Sequence, residues 1–178
     1  MKSGIVLLAE LAGPVADRIH EIQKRFDPRM AAELPPHITL TGSSGMGPIP
    51  ATISLDRLRA LLEPIARETP PLTVYFQPPM KFMQSPVVVL PIDPHGPIRA
   101  LHERVKKSGI PSEPPRFAFT PHCTLSFYPE LSREKLRDLL ALRIDEPVLI
   151  DRIAAYKAVT LTRAENVLEL PLTGALSS

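Results

Sequence analysis

Pro36-His37-Ile38-Thr39-Leu40 returns later in the chain as Pro121-His122-Cys123-Thr124-Leu125. Only five His are present, so few His pairs exist to be compared. Agreement at three further offsets around one of those pairs arises by chance about once in a few hundred such chains, taking average residue usage. An imidazole takes or gives a proton near neutral pH. A hydroxyl two residues on can hydrogen-bond a non-bridging phosphate oxygen. Two such pairs around one phosphate would supply a base, an acid and two anchors. Hydroxyls are weak transition-metal ligands, and no Cys or carboxylate cluster accompanies the motifs, so neither a metal nor a cofactor is expected. A lone His is usually a surface or core residue; the matched pair favours the chemical reading.

The elements around the motifs place the four side chains. On a strand, residues i and i+2 share a face. Around the second motif Phe117, Phe119, Pro121, Cys123, Leu125 and Phe127 form an apolar side, and Ala118, Thr120, His122, Thr124 and Ser126 form the other. Around the first, Leu34, Pro36, Ile38 and Leu40 oppose Pro35, His37, Thr39 and Thr41. This alternation marks half-buried strands whose His and Thr project away from the core. Cys123 faces the other way and reads as a small core residue rather than a nucleophile.

Further along the pattern, Ser3–Glu10 reads as a strand, followed by a helix from Pro14 to Phe26 with Val15, Ile19, Ile22 and Phe26 on one face. Ser54 caps a helix through Arg67 with Leu55, Leu58, Leu62 and Ile65 as its stripe, which Pro64 should kink or end early. Leu72–Phe76 and Val87–Ile92 read as strands. Pro97 opens a helix bearing Ile98, Leu101 and Val105 that Gly109 closes. Ser132 caps another with Leu136, Leu139 and Leu140, and strands follow over Val148–Leu161 and Val167–Leu172. The Gly42 to Gly47 loop reads as a connection before a phosphate cradle.

A chain of 178 residues, 44% hydrophobic and 22% charged, is expected to form one domain over residues 1–178 with a sizeable core. No apolar run approaches the roughly 20 residues of a membrane span. The N-terminal apolar run is interrupted by Glu10 and reads as a strand rather than a signal peptide. The single Cys excludes an internal disulfide, in keeping with a cytoplasmic protein. A net charge of +2 is too slight to coat nucleic acid, so RNA affinity should be directed to one phosphate and its neighbours. The 22 prolines punctuate turns and element starts rather than forming a low-complexity run.

PPHITL and FTPHCTL resemble the tandem His-x-Thr/Ser motifs of the 2H phosphoesterase superfamily, which includes 2′-5′ RNA ligase-like proteins and cyclic nucleotide phosphodiesterases. The order of IVLLAE, PVADRIHEIQKRF, VVVLPI, IRALHERVKKSG and the strand after Ile150 extends the resemblance over most of the chain. Members often carry a basic residue shortly after a motif, whereas Thr41 and Ser126 stand here. Both the halved pattern and the resemblance imply an α+β fold. Two related lobes of mixed, largely antiparallel sheet with flanking helices would pack about a pseudo-twofold axis. One motif per lobe would then face the other across a groove.

The resulting expectation is a metal-independent hydrolase of 2′,3′-cyclic phosphates or related RNA-end phosphodiesters, a monomer acting in RNA processing. Its catalytic residues would be His37, Thr39, His122 and Thr124, and the resemblance makes His122 the base. Its partner would be an RNA end or a small cyclic nucleotide. The alternatives are a non-catalytic RNA-end or nucleotide-binding module, and a 2′-5′ RNA ligase running the same chemistry backwards. Phe82 and Tyr156 are candidates for stacking on a base. Lys157, with Lys81, Arg116, Arg152 and Arg163, could supply charge to a phosphate groove. His20 and His102 read as solvated helix residues, and His95 as part of a turn.

Overall fold

The computed structural model describes residues 4–83, 85–127, 131–160 and 163–176. The first half runs β1 (Ile5–Ala12), α1 (Pro14–Phe26), α2 (Pro28–Glu33), β2 (His37–Thr41), α3 (Leu55–Glu68) and β3 (Leu72–Val74). The second runs β4 (Met80–Lys81), β5 (Val88–Pro91), α4 (Pro97–Lys107), β6 (His122–Ser126), α5 (Arg133–Ala141), β7 (Val148–Thr160) and β8 (Arg163–Pro171). The strands form one eight-stranded sheet in the order β3-β7-β1-β2-β6-β5-β4, with β8 also paired to β7. Every ladder between these strands is antiparallel. The class is therefore α+β, as expected.

The two motif strands do not face each other across a groove. They pair edge to edge at the middle of the sheet, with Ile38 opposite Cys123. Each has backbone donors and acceptors that need partners, and pairing satisfies them while keeping both apolar faces on one side. Ile38, Leu40, Cys123 and Leu125 are all fully buried in the main core. Truncating Ile38 to Ala would cost roughly 2–5 kcal/mol at such a site.

A local twofold does run through this pair, and the registers show it. On β1, Leu8, Ala9 and Glu10 oppose Thr39, Ile38 and His37. On β5, Val89, Leu90 and Pro91 oppose Thr124, Cys123 and His122. Even the irregularities match, since shifts at Leu7/Leu8 and Val88/Val89 bring Leu7 opposite Thr41 and Val88 opposite Ser126. These bulges take Thr41 and Ser126 out of the alternation read from sequence. Both are fully buried, and the Thr41 hydroxyl accepts from Leu7 N at 2.9 Å.

Each half's helix also crosses onto the other half's motif strand. Gly13, at φ +82°, and Pro14 start α1, whose buried residues are Ala16, Ile19, Gln23 and Phe26. Val15 and Ile22 are only partly buried against the core, a rotation of the stripe from that expected. Gln23 Nε2 donates to Thr124 O on β6 at 2.8 Å. Asp27 then caps α2 through Met30 N and accepts from Phe127 N at 2.7 Å, tying down the end of β6. From the second half, the His102 ring on α4 bonds Leu40 O on β2 at 2.9 Å.

His102 is thus core, 1% exposed and stacked on Phe119 with centroids 3.7 Å apart, not solvated as its helix position suggested. Gly45 makes room for it: at φ +69°, a Cβ there would lie 2.5 Å from His102 Nε2.

Other differences are local. Pro64 does not end α3, which continues to Glu68. Pro64 and Ala60 both lie on its exposed side, where water can satisfy the carbonyl that Pro cannot bond. Leu55 of its expected stripe is 46% exposed. The second motif strand is shorter than its alternation, because Pro114, Pro115 and Pro121 interrupt pairing before it, and Phe117 and Phe127 on either side of it are exposed. Ser3 and Leu161, expected at strand ends, lie outside the described residues.

Candidate active site

Ile38 and Cys123 are directly paired in an antiparallel ladder. The flanking residues therefore fall as His37 beside Thr124 and Thr39 beside His122, all on the face opposite the core. Each imidazole thus lies next to the hydroxyl of the other motif, and the four side chains stand together at the centre of one sheet face. Leu8, Val89 and Ala154 form an apolar floor around them, at most 1% exposed yet outside the main core cluster. Their register beside Thr39, Thr124 and Leu8 places them on the motif side.

Both rings are held alike. His37 Nδ1 lies 2.7 Å from Pro35 O, and His122 Nδ1 lies 2.7 Å from Thr120 O. A carbonyl only accepts, so each Nδ1 carries the hydrogen, leaving Nε2 as the nitrogen able to exchange a proton. Burial holds both imidazoles below their usual range, partly opposed by these carbonyl bonds. His37 is additionally lowered by charge on His122. A charge on either ring therefore makes the other harder to protonate. Cys123 between them is fully buried and its thiol is pushed up to about 12 by burial, which removes it as a nucleophile.

The aromatic residues singled out from sequence both face this side. Phe82 meets the His122 ring edge-on with centroids 5.2 Å apart. Tyr156, opposite Val6 on β1, donates its hydroxyl to Glu10 Oε1 at 2.7 Å. Lys157 lies opposite Ile5, on the core side of the strand, and is exposed. Lys81 likewise alternates away from Phe82. Arg116 sits in a loop bonded through its backbone to Ser43. Arg163 pairs with exposed Glu165 at the start of β8. Arg152, opposite Glu10, is the one of these cations on the motif side; it bonds Asp151 at 2.9 Å. Glu10 itself was missed, because an acid on a strand beside a phosphate site has no signal in sequence until the register is known.

The Gly42 to Gly47 loop is a connection, with the N–H groups of Gly42, Gly45, Met46 and Gly47 engaged by Met46, Phe117, Ser44 and Glu113 carbonyls. His95 sits in a turn that Asp93 closes by accepting from its N–H. Among the described residues no three His, Cys, Asp or Glu side chains cluster as a metal site requires.

Residues 11–160 match the family described as the 2′-5′ RNA ligase superfamily. The chain belongs to that superfamily. Solved structures agree in fold. The TT0787 protein of Thermus thermophilus superposes with a TM-score of 0.65 at 17% identity, covering 96% of this chain and 98% of that one. Escherichia coli LigT complexed with phosphate gives 0.58 at 15% identity, again over 96% and 98%. LigT complexed with 3′-AMP gives 0.55 at 16% identity over 97% and 99%. Comparison with curated proteins gives no match. No described helix is long and apolar enough to cross a membrane.

Proposed function

We propose that this superfamily member is a metal-independent phosphodiesterase that opens 2′,3′-cyclic phosphates or related RNA-end phosphodiesters. The observation that carries the reading is the matched pair of rings, each with Nδ1 tied to a carbonyl and Nε2 free, beside two hydroxyls. His122, the base by the resemblance, takes a proton from the attacking water as it bonds to phosphorus. His37 gives its Nε2 proton to the ribose oxygen as the P–O bond breaks. Thr39 and Thr124 hold non-bridging oxygens and stabilise the charge that grows in the transition state. The LigT structures support the choice of ligand, since that protein, of the same fold, is complexed with phosphate and with 3′-AMP.

The superfamily's name favours a second reading, 2′-5′ ligation, which is the same step reversed with a ribose hydroxyl in place of water. Water at roughly 55 M makes hydrolysis the expected net direction in dilute solution. A binding module without chemistry is the third reading. Hydrolysis of 2′,3′-cyclic nucleotides is expected in excess EDTA, with a bell-shaped kcat/KM against pH. Because burial holds both His low, the limbs should lie at or below the usual imidazole range. Activity lost to EDTA and restored by Zn²⁺ or Mn²⁺ would defeat the metal-independent mechanism. Binding without turnover would leave the module reading in its place.

A further inference from the structure

The twofold that relates the two motifs fails at one position beside them. Glu10 lies directly opposite His37, and the equivalent residue opposite His122 is Pro91. One sheet spacing further out the walls differ too. Phe82 N bonds Val87 O, so Phe82 corresponds to Tyr156, which pairs with Val6. Phe82 offers only a ring, in contact with His122. Tyr156 commits its hydroxyl to Glu10 Oε1 at 2.7 Å. Glu10 is only 7% exposed, and its second oxygen lies 4.0 Å from Arg152 Nε, beyond hydrogen-bond distance. A carboxylate this well placed, with one oxygen fixed and the other short of a donor, sits one strand away from the group that would handle the phosphate.

We propose that Glu10, fixed by Tyr156, accepts a hydrogen bond from the ribose hydroxyl that ring opening frees next to the phosphate and so decides which way round the nucleotide lies. The inference rests on the phosphate-site reading. A symmetric pair of His-x-Thr motifs accepts a phosphodiester in two orientations with equal ease. One acceptor on the His37 side removes that degeneracy, because only one orientation brings a hydroxyl to it. Pro91 has no group that competes for the same hydroxyl.

The test is binding, so it does not depend on turnover. Dissociation constants for 2′-AMP, 3′-AMP and the deoxy analogue of whichever binds more tightly would be measured by calorimetry on wild type, Glu10→Gln and Tyr156→Phe, with thermal melts to establish folding. Wild type should prefer one monophosphate, and loss of its free hydroxyl should weaken binding about tenfold, as expected for a bond to a charged acceptor. In Glu10→Gln both differences should shrink to about twofold or less. Tyr156→Phe should fold and show an intermediate loss, since the carboxylate remains but is no longer fixed. Equal affinity of wild type for both monophosphates, or a hydroxyl effect undiminished in folded Glu10→Gln, would overturn the proposal. Failure of all three proteins to bind any nucleotide would instead sink the phosphate-site reading beneath it.

Discussion

The halves β1–α1–β2 and β5–α4–β6 are alike where chemistry is expected and unlike where a substrate would be recognised. Their strand registers, bulges and ring tethers correspond residue by residue, and each helix starts at a Gly-Pro pair, Gly13-Pro14 and Gly96-Pro97. They diverge at Glu10 against Pro91 and at Tyr156 against Phe82. They diverge also in how each helix clamps the opposite motif strand, by a Gln23 amide in one case and the His102 ring in the other. An acid and a base around one phosphate make the same geometric demand twice, so a repeated unit meets it. A nucleotide has no such symmetry, and the residues that read it must differ.

The most severe test of the symmetric part is removal of either ring. His37→Ala or His122→Ala should each cost about 10²–10⁴-fold in kcat, the worth of a positioned acid or base. The double variant should be much less impaired than the product of the two, because the pair acts as a unit. Independent effects that multiply would mean that the rings do not share one phosphate. Thr39→Ala and Thr124→Ala come next, at roughly tenfold to 10²-fold, toward the low end for one donor to developing charge. If one Thr variant is unaffected, the twofold at the phosphate is only structural.

Much of this was legible in the sequence. His-x-Thr twice, each with alternating apolar partners, is a period-2 signal that local sterics enforce. The start of α1 at Pro14, the Ser54 and Ser132 caps and the αL stop at Gly109 were equally local, and each was observed. What stayed hidden is set by pairing between distant strands. That β2 and β6 are edge neighbours, that matched bulges bury Thr41 and Ser126, and that Glu10 stands beside His37 all depend on register. His102 was misjudged for a related reason. Its helix face looked polar, but Phe119 and the Gly45 loop close over it from elsewhere in the chain.

The two walls can be set against each other directly. Phe82→Ala should raise KM about tenfold for nucleotides with large bases, within the ~1–3 kcal/mol that stacking on an aromatic ring is worth. It should also ease the pH profile, since the ring packs on His122 and helps exclude water from it. Tyr156→Ala should do less to base stacking and more to discrimination between monophosphates, because its hydroxyl is committed to Glu10. Equal changes in both variants would show that the walls recognise the nucleotide in the same way, and the asymmetry would lose its functional meaning.

The smallest expected effect separates the clamp from the site. His37, His102 and His122 are all held below the usual imidazole value of 6.5, chiefly by burial. A His lowered on folding is protonated more readily in the unfolded chain. The stability it confers is therefore complete above about pH 6.5 and is lost as the pH falls through the folded-state value. Thermal midpoints should accordingly drop between about pH 7 and pH 5. For His102 the cause is plain in the geometry, since its Nε2 is buried without a partner and a proton there would find no acceptor. Inorganic phosphate should restore part of the acid loss, because an anion between His37 and His122 favours their charged forms. It should leave the share due to His102 untouched. His102→Gln, whose amide can still reach Leu40 O, should flatten the remaining pH dependence. A variant that melts with the wild-type pH slope in saturating phosphate would place the acid sensitivity elsewhere and leave His102 as packing alone.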